Sequence, residues 1–544
     1  MLLVKKKLSL QEFVQQEVVS TVYLEIMEQI RKLPIGIQSF EKLRTQGYMY
    51  VDKTVAVYKI ASTSIPYFLS RPRRFGKSLL ISTFEAYFQG RKDLFEGLAI
   101  AEMETKWEKF PVLHLDLNAE KFNSVEHLDA ILSGHLNKWE DVYGKDTREE
   151  TLSRRFEGVI RRAYEKTGKG VVVLIDEYDK PMISNVLDTT LTDEYRKTLK
   201  AFYGVLKSSD RYLRFVFLTG VTKFAQVSVF SDLNQLVDIS IKPDYATLCG
   251  ITKNELIQVF TPELKILAEK QKLTFDEAVE KMVQQYDGYH FAPGADGMFN
   301  PFSVLNSLQF SDFDSYWFQT GTPTYLVDLL KESNYDLRLL LDGIELSQSS
   351  FMEYRVDIKN PIPMIYQSGY LTIKDYDNKF RLYTLGFPND EVRYGFMEFL
   401  TPYYTAVTND ETGFHIVKFY QELKSGDTTA FMERLKVFFE KIPYELSNDN
   451  ERHYQAVFYI VFTLIGQYID VEVRSAKGRA DAVVKMKDCI YVFEFKLDGS
   501  AEEALRQIDE KGYLVPYQLD GRKLIKVGVD FSKLKRNIDR YIVG

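Results

Sequence analysis

The chain has 544 residues, of which 45% are hydrophobic and 27% are charged, and its formal net charge is −7. This length exceeds what one hydrophobic core supports, so we expect two to four domains. Two cysteines and six scattered histidines exclude a disulfide scaffold and a cysteine-rich or paired-histidine zinc site. No apolar run is long enough to span a membrane, and the opening MLLVKKKLSL has the wrong order for a secretory signal, which predicts a cytoplasmic protein.

Up to about residue 330, short apolar runs alternate with longer segments of helical periodicity. The runs lie at Ile65–Leu69, Val112–Leu117, Val171–Ile175, Phe215–Leu218 and Leu236–Ser240. The helical segments include Leu79–Phe88, His127–Val142 and Tyr195–Leu206. Strands that are apolar throughout are buried on both faces, which predicts a mostly parallel sheet covered by helices. Folds of this class bind ligands at the carboxyl ends of their strands.

The stretch SRPRRFGKSLLIS follows the first apolar run and opens the first of these helices. Gly76, Lys77 and Ser78 match the end of a phosphate-binding loop. Backbone N–H groups from Phe75 to Ser78 would then point at the β-phosphate from a helix N-terminus. Lys77 would reach the β- and γ-phosphates, and the Ser78 hydroxyl would bind Mg²⁺. The alternative is a basic helix start without a nucleotide.

The rim of this loop departs from the usual pattern, because Arg71 stands where the first glycine is expected. Pro72 fixes φ and would turn the chain in place of that glycine. Arg71, Arg73 and Arg74 would surround the phosphates with positive charge, or would contact a neighbouring subunit's nucleotide or a polynucleotide backbone. We therefore expect an ATP site that favours tight binding over fast turnover.

The run VVVLIDEYDKP supplies the second half of the expected ATP site, as a buried strand that ends in two carboxylates. Asp176 would hold Mg²⁺ through its water, and Glu177 would orient or deprotonate the attacking water. The alternative is a solvated acidic turn. At the end of the next strand, RFVFLTGVTK, either Thr219 or Thr222 would sense the γ-phosphate.

Residues 311–440 are aromatic-rich and mostly helical in pattern. The segment YQSGYLTIKDYDNKFRLYTL predicts a β-hairpin, and Ile416–Lys441 predicts a helical hairpin. We expect a lid or winged-helix-like connector whose aromatic residues belong to the core rather than stacking on bases.

The C-terminal segment carries a candidate nuclease site. Asp481 lies in GRADAVVKM, and a turn at Lys487 and Asp488 leads into CIYVFEFKL, which contains Glu494 and Lys496. Residues two apart on a strand share a face, so Glu494 and Lys496 project together, with Asp481 beside them on the hairpin partner. Two carboxylates can hold one or two Mg²⁺ ions, while the lysine orients water or offsets charge. A chance pattern on a charged strand is the alternative.

Two further residues are candidates for this site. Glu451 begins a capped helix, SNDNERHYQAVFYIVFTLIG, on its inward face, and would either complete the metal site or interact with the helix dipole. Gln507, on the helix of SAEEALRQIDEKGY, would project towards the active end of the sheet.

The chain resembles the bacterial AAA-ATPase-like proteins with a C-terminal restriction-endonuclease-like, or PD-(D/E)XK, nuclease domain. The resemblance runs from about Leu33 to the C-terminus. Its motifs are LPIGIQSFEKLRTQGYMYVDKT, RPRRFGKSLL, LIDEYDKP, YDGYHF, NPFSVLN, YQSGYLTI, LGFPNDEVR and GRADAVV followed by YVFEFKLDGSAEEALRQI. It implies an α/β P-loop ATPase of the additional-strand class joined to a nuclease. It also implies a tyrosine four residues after Gln507, whereas here that position is Lys511 and the tyrosine is Tyr513.

The residue patterns and the family resemblance together predict the domain organisation. Residues 1–32 form an extension, 33–310 the AAA-ATPase-like domain, 311–440 the connector and 441–544 the nuclease-like domain. Residues before Met27 are expected to be a dispensable helix or a misassigned start.

The predicted function is ATP binding and hydrolysis coupled to a Mg²⁺-dependent nuclease, with Mn²⁺ as a second candidate ion at the nuclease site. The expected partners are nucleic acid, with DNA favoured, and further copies of the chain, without a membrane. The alternative is a nucleotide-gated signalling or interaction protein with an inactive nuclease fold. The complete set of Asp481, Glu494 and Lys496 favours the enzyme.

Overall fold

The structure is a computed structural model, and it describes most of the chain from residue 31 onwards. The described residues are 31–118, 122–185, 188–223, 235–318, 325–333, 335, 337, 339–352, 360–405, 407–441, 451–467, 470–473 and 480–544. The segment before Met27 lies outside them. No described helix is long and apolar enough to cross a membrane.

A five-stranded parallel sheet forms the centre of the N-terminal part. Its strands are β1 (Tyr67–Ser70), β2 (Val112–Asp116), β3 (Val171–Asp176), β4 (Leu213–Gly220) and β5 (Val237–Asp238). They lie in the order β2-β3-β4-β1-β5, and every neighbouring pair is parallel. Every residue of β3 is buried because both faces of the sheet are covered. The parallel sheet expected from the apolar runs is confirmed.

The edge strand β5 is shorter than the apolar run that predicted it. The run extended to Ser240, but the Ser240 hydroxyl accepts the N–H of Ser70 at 2.9 Å and its own N–H donates to Asp238 Oδ1 at 2.9 Å. These bonds to side chains replace the regular backbone ladder, so the strand ends at Asp238.

Helices pack around this sheet. They are α1 (Phe40–Thr45), α2 (Thr54–Ala61), α3 (Lys77–Phe88), α4 (Ile100–Met103), α5 (Val125–Tyr143), α6 (Leu152–Thr167), α7 (Lys180–Ile183) and α8 (Thr189–Ser208). The three predicted helices are α3, α5 and α8, and each begins earlier than its apolar stripe. In α8 the reason is a cap, since the Asp188 side chain accepts the N–H of Leu191 at 2.9 Å.

A second core follows the sheet. It comprises α9 (Lys253–Gln271), α10 (Phe275–Tyr286), α11 (Pro301–Phe310) and a short antiparallel pair, β6 (Ile251–Thr252) with β7 (Met298–Phe299). Capping boxes begin both α9 and α10. This core also holds Leu33, where the family resemblance begins. That residue therefore packs against residues more than 200 positions later in the chain.

The middle of the chain contains a three-stranded antiparallel sheet and several helices. The helices are α12 (Tyr325–Glu332), α13 (Leu339–Asp342), α14 (Gln348–Met352), α15 (Ile362–Gln367), α16 (Asp390–Thr405), α17 (Asn409–Ser425) and α18 (Thr428–Glu440). The strands β8 (Ile344–Ser347), β9 (Thr372–Asp377) and β10 (Leu382–Gly386) lie in the order β8-β10-β9. The expected β-hairpin is β9–β10, and the expected helical hairpin is α17–α18.

The C-terminal part is a second α/β unit. Helix α19 (Glu451–Ile465) precedes the strands β11 (Asp470–Val473), β12 (Ala482–Lys485) and β13 (Cys489–Leu497), and α20 (Ala501–Glu510) connects β13 to β14 (Lys523–Ser532) and β15 (Asn537–Val543). The strands follow chain order in the sheet; β13 and β14 are parallel and the other pairs antiparallel. Helix α19 packs on one face through Phe458 and Phe462, and α20 covers the other.

Candidate active sites

The predicted phosphate-binding loop connects β1 to α3. Gly76 caps α3 with φ of 89°, a left-handed conformation that favours glycine. A side chain built at Gly76 would meet nothing within 4 Å, so open space lies beside the first N–H groups of α3. This arrangement fits a phosphate group, because those N–H groups have no helical partner and the helix dipole favours an anion.

The structure corrects the expectation that Arg71 faces the phosphates. Its side chain is only 1% exposed, and its guanidinium donates to the carbonyls of Ser70, Ser240 and Tyr245 at 2.9, 2.7 and 3.0 Å. It also lies 4.1 Å from the centre of the Phe291 ring. Burial lowers the pKa of Arg71 to about 10. The Arg71 side chain therefore stabilises the loop by hydrogen bonds inside the core.

The other rim residues face a cavity of about 390 Å³. Arg73 and Arg74 line it, and Arg74 has φ of 70° and lies 4.8 Å from the centre of the Phe302 ring. Phe75 is buried edge-to-face against Tyr289. A left-handed position of the loop is thus Arg74, two residues after the proline that was expected to turn the chain.

Lys77 and Ser78 both line this cavity. Lys77 is folded back into the loop, where its Nζ donates to the carbonyls of Arg71 at 3.0 Å and Pro72 at 3.1 Å. The ammonium group is therefore held beside the loop backbone at the wall of the cavity.

The two carboxylates at the end of β3 have different surroundings. Asp176 is buried, and its Oδ1 accepts a hydrogen bond from the Thr219 hydroxyl. Glu177 has φ of 51° and lines the cavity. The left-handed conformation turns the chain sharply at the strand end, so successive carboxylates point to different places.

Neither threonine expected to sense the γ-phosphate is among the residues that line the cavity, and Thr222 has other partners. Its N–H and hydroxyl both donate to Asp179 Oδ2 at 2.6 Å. Asp179 is fully buried, and burial raises its pKa to about 6. Of the two threonine candidates, Thr219 contacts a predicted site residue, whereas Thr222 anchors the turn after β3.

Lys180 and Asn118 line the cavity and were not identified as site residues from the sequence. Lys180 Nζ lies 3.6 Å from Glu177 Oε2 and 3.4 Å from Asn118 Oδ1. Asn118 follows β2, the neighbour of β3 in the sheet. The adjacent strand ends were the available signal, because residues after parallel neighbours meet at one edge of a sheet.

The C-terminal candidates also converge. Ala482 is paired with Phe493 across β12 and β13, which places Asp481 near Glu494. Asp481 Oδ2 accepts the N–H of Phe495 at 2.8 Å, and Lys496 Nζ lies 3.5 Å from Glu494 Oε1. The three predicted residues therefore lie together at the carboxyl end of β13.

Gln507 of α20 joins this cluster, and it is a contact that the sequence left open. Its Oε1 accepts from Lys496 Nζ and its Nε2 donates to Glu494 Oε1. Tyr513 supplies a hydroxyl 3.3 Å from Gln507 Nε2. The chain thus places a tyrosine beside this glutamine even though Lys511 occupies the usual position.

Electrostatics at Glu494 are consistent with a cation site. Burial, and then the like charge of Asp481, raise the pKa of Glu494 to about 7, while Lys496 opposes the shift. Glu494 Oε2 is buried without a hydrogen-bond partner in the described part of the chain. An unsatisfied carboxylate oxygen next to a second carboxylate fits a hard divalent cation.

The third predicted carboxylate, Glu451, begins α19 as expected, but its side chain lies outside the described part of the structure. Among the residues that are described, no three His, Cys, Asp or Glu side chains form a metal-binding group. The described site is therefore a pair, Asp481 and Glu494.

Two family models match parts of the chain that contain these residues. Residues 34–230 match the family model described as "Predicted AAA-ATPase", and residues 449–541 match the PD-(D/E)XK nuclease superfamily. The chain is 34% identical over 526 residues to a protein of Azotobacter chroococcum mcd 1 described as "Uncharacterized protein in vnfD 5'region". The alignment covers 94% of this chain and 99% of that relative. The chain therefore belongs to the AAA-ATPase-like proteins that carry a C-terminal PD-(D/E)XK nuclease domain.

Proposed function

We propose that this chain binds and hydrolyses ATP in the N-terminal site and cleaves nucleic acid, with DNA favoured, in the C-terminal site. The observation that carries the proposal is the cavity of about 390 Å³ in which Gly76, Lys77 and Ser78 meet Glu177. These residues come from two strand ends that are far apart in sequence. The cluster of Asp481, Glu494 and Lys496 supports the nuclease half.

In the ATPase reaction, the N–H groups at the start of α3 and the Lys77 ammonium hold the phosphates. Ser78 and Asp176 would hold Mg²⁺, which offsets phosphate charge. Glu177 takes the proton of a water whose oxygen bonds to the γ-phosphorus, and the bond from that phosphorus to the bridging oxygen breaks. The products are ADP and phosphate. Thr219 fixes the orientation of Asp176 through its hydrogen bond.

In the nuclease reaction, water attacks a backbone phosphorus and one ester P–O bond breaks. Asp481 and Glu494 would bind a divalent cation, Mg²⁺ or Mn²⁺, which lowers the pKa of bound water and offsets charge on the phosphate. Lys496 lies 3.5 Å from Glu494 and would orient the water. Gln507 holds Lys496 and Glu494 relative to each other through its two hydrogen bonds.

The ATPase half is tested with Lys77→Ala and Glu177→Gln. We expect Lys77→Ala to abolish ATP binding, because the variant lacks the ammonium at the phosphate end of the cavity. Glu177→Gln should bind ATP and fail to hydrolyse it, since an amide cannot take the proton. Binding is measured with a fluorescent nucleotide and turnover as released phosphate. Turnover by Glu177→Gln at the parent rate would remove Glu177 from its role.

The nuclease half is tested by incubating the pure full chain with DNA and RNA substrates and Mg²⁺ or Mn²⁺, with and without ATP. We expect cleavage in the presence of metal and none by Glu494→Gln. Normal ATP turnover with no cleavage of any substrate would instead support the nucleotide-gated interaction protein with an inactive nuclease fold. Comparing reactions with and without ATP shows whether the two sites are coupled.

A further inference from the structure

A lysine that does not belong to the phosphate-binding loop also lines the candidate nucleotide cavity. Lys180 Nζ contacts Glu177 Oε2 at 3.6 Å and Asn118 Oδ1 at 3.4 Å, and all three residues line the cavity. The lysine side chain is 27% exposed, so its ammonium can reach a ligand.

The position of Lys180 is built by the turn after β3. Its N–H donates to the Glu177 carbonyl at 3.0 Å, which closes a tight turn around the left-handed Glu177. Asp179 anchors this turn to the end of β4, because it accepts the N–H groups of Val221 and Thr222 at 3.1 and 2.6 Å. The lysine is therefore presented from a fixed backbone.

Stability alone gives little reason for this lysine. An ion pair 3.6 Å long between partly exposed side chains is screened by water and contributes little to folding. Lys180 instead places positive charge next to the carboxylate that is proposed to activate water, where an incoming phosphate brings negative charge.

Three other cations that line the cavity have partners away from Glu177. Lys77 is bound to two loop carbonyls, and Lys53 is paired with Glu255 at 2.6 Å. Arg74 lies over the Phe302 ring. Lys77 belongs to the phosphate-binding loop, whereas Lys180 lies on the side of Glu177.

We propose that Lys180 binds the γ-phosphate of ATP from within the same chain, with Glu177 and Asn118 as its partners when that phosphate is absent. This inference rests on the proposed ATP site and makes it selective for triphosphates. On binding, the ammonium moves from Glu177 to the phosphate and leaves the carboxylate free to accept a proton from water.

The test compares the affinities of the full chain for ADP and for the β,γ-imido analogue of ATP, each with Mg²⁺, by calorimetry. In Lys180→Ala, we expect affinity for the analogue to fall about tenfold or more, because a charge-assisted bond is lost, while affinity for ADP stays within about twofold. Lys180→Arg should retain most of the preference for the analogue. Lys169→Ala, which removes a lysine paired with Glu108 outside the cavity, is the matched control and should change neither affinity.

An unchanged ratio of the two affinities in Lys180→Ala would overturn this role, whether both affinities stay the same or both fall equally. Lys180→Gln is the second variant if the alanine variant does not fold, as judged from its melting temperature. Failure of the unaltered chain to bind either nucleotide would instead overturn the proposed ATP site itself. Loss of γ-phosphate preference alone thus separates Lys180 from the rest of the site.

Discussion

Arg71 stands where phosphate-binding loops usually carry a glycine, and the backbone of this loop shows why another residue fits. The left-handed positions of the loop are Arg74 and Gly76. Arg71 instead continues the sheet, since its N–H donates to the carbonyl of Gly220 at 3.1 Å. Its guanidinium connects β1 to the chain after β5. The residue that stands in place of the first glycine therefore belongs to the core.

We expect Arg71→Ala to lower the free energy of unfolding by about 3 kcal/mol, because three carbonyls lose their buried guanidinium donor, among them the buried carbonyl of Ser240. The matched variant Arg73→Ala, on the rim of the same loop, should lower it by less than about 1 kcal/mol. Urea unfolding measures both. Equal small losses of unfolding free energy in the two variants would show that the Arg71 hydrogen bonds contribute little to stability.

The residues found by spacing and those found only in three dimensions differ in a physical way. Gly76, Lys77, Glu177 and the Asp481/Glu494/Lys496 set follow local rules, because a loop, a strand end or a strand face fixes their positions. Lys180, Asn118 and Tyr513 contact the sites through turns and neighbouring strands. The direction of the Arg71 side chain is of the same kind, since it depends on Ser240 and Phe291.

Elements were predictable to the extent that their hydrophobic pattern was strong. β3 is apolar up to its last residue, Asp176, and was predicted to within one residue. β8 was not predicted, because its four residues alternate between partial and full exposure and carry little burial signal. The hairpin β9–β10 was predicted because a polar turn separates two apolar runs.

Alanine substitutions at Gly413, inside α17, and at Gly426, at its end, should change stability with opposite signs. Gly426 ends the helix with φ of 77°, whereas Gly413 lies exposed inside it, and a side chain at either would meet nothing within 4 Å. Gly426→Ala should therefore destabilise by about 1 kcal/mol through backbone strain. Gly413→Ala should stabilise by up to about 1 kcal/mol, because alanine favours helix. Thermal melts compare the two, and the same sign for both would contradict this account of the helical hairpin.

Across the whole molecule, α16 contacts the N-terminal and the C-terminal parts of the chain. Near its start, Glu391 accepts the Ser303 hydroxyl at 2.8 Å, and Ser303 follows the phenylalanine that Arg74 covers. One turn further, the Tyr394 hydroxyl donates to the Gly466 carbonyl at 2.9 Å, at the end of α19. A path of contacting residues therefore joins the candidate nucleotide cavity to the nuclease-like domain.

The buried carboxyl of Glu391 gives a pH prediction. Burial raises its pKa to about 7 although Trp317 N–H and the Ser303 hydroxyl donate to it. The unfolded chain loses this proton near pH 4.5 and the folded chain only near pH 7, so the Glu391 contribution to stability falls as pH rises between these values. At pH 8 the cost is at most about 3 kcal/mol.

Glu391→Gln mimics the protonated carboxyl and removes this titration. Its free energy of unfolding relative to the parent should therefore rise from pH 5 to pH 8. Urea unfolding at several pH values measures the difference, which isolates this group from others that titrate in both proteins. A difference that does not vary with pH would show that Glu391 titrates normally in the folded chain.

The central claim, that the C-terminal site is a metal-dependent nuclease site, is tested most directly by calorimetric titration of Mn²⁺ into the full chain and three variants. We predict that Asp481→Asn and Glu494→Gln each weaken Mn²⁺ binding at least tenfold while leaving the fold intact, because each removes a carboxylate from the pair. Lys496→Ala should retain metal binding, since an ammonium group is not a ligand. Parental Mn²⁺ affinity in both carboxylate variants would contradict the metal site and the nuclease activity proposed from it.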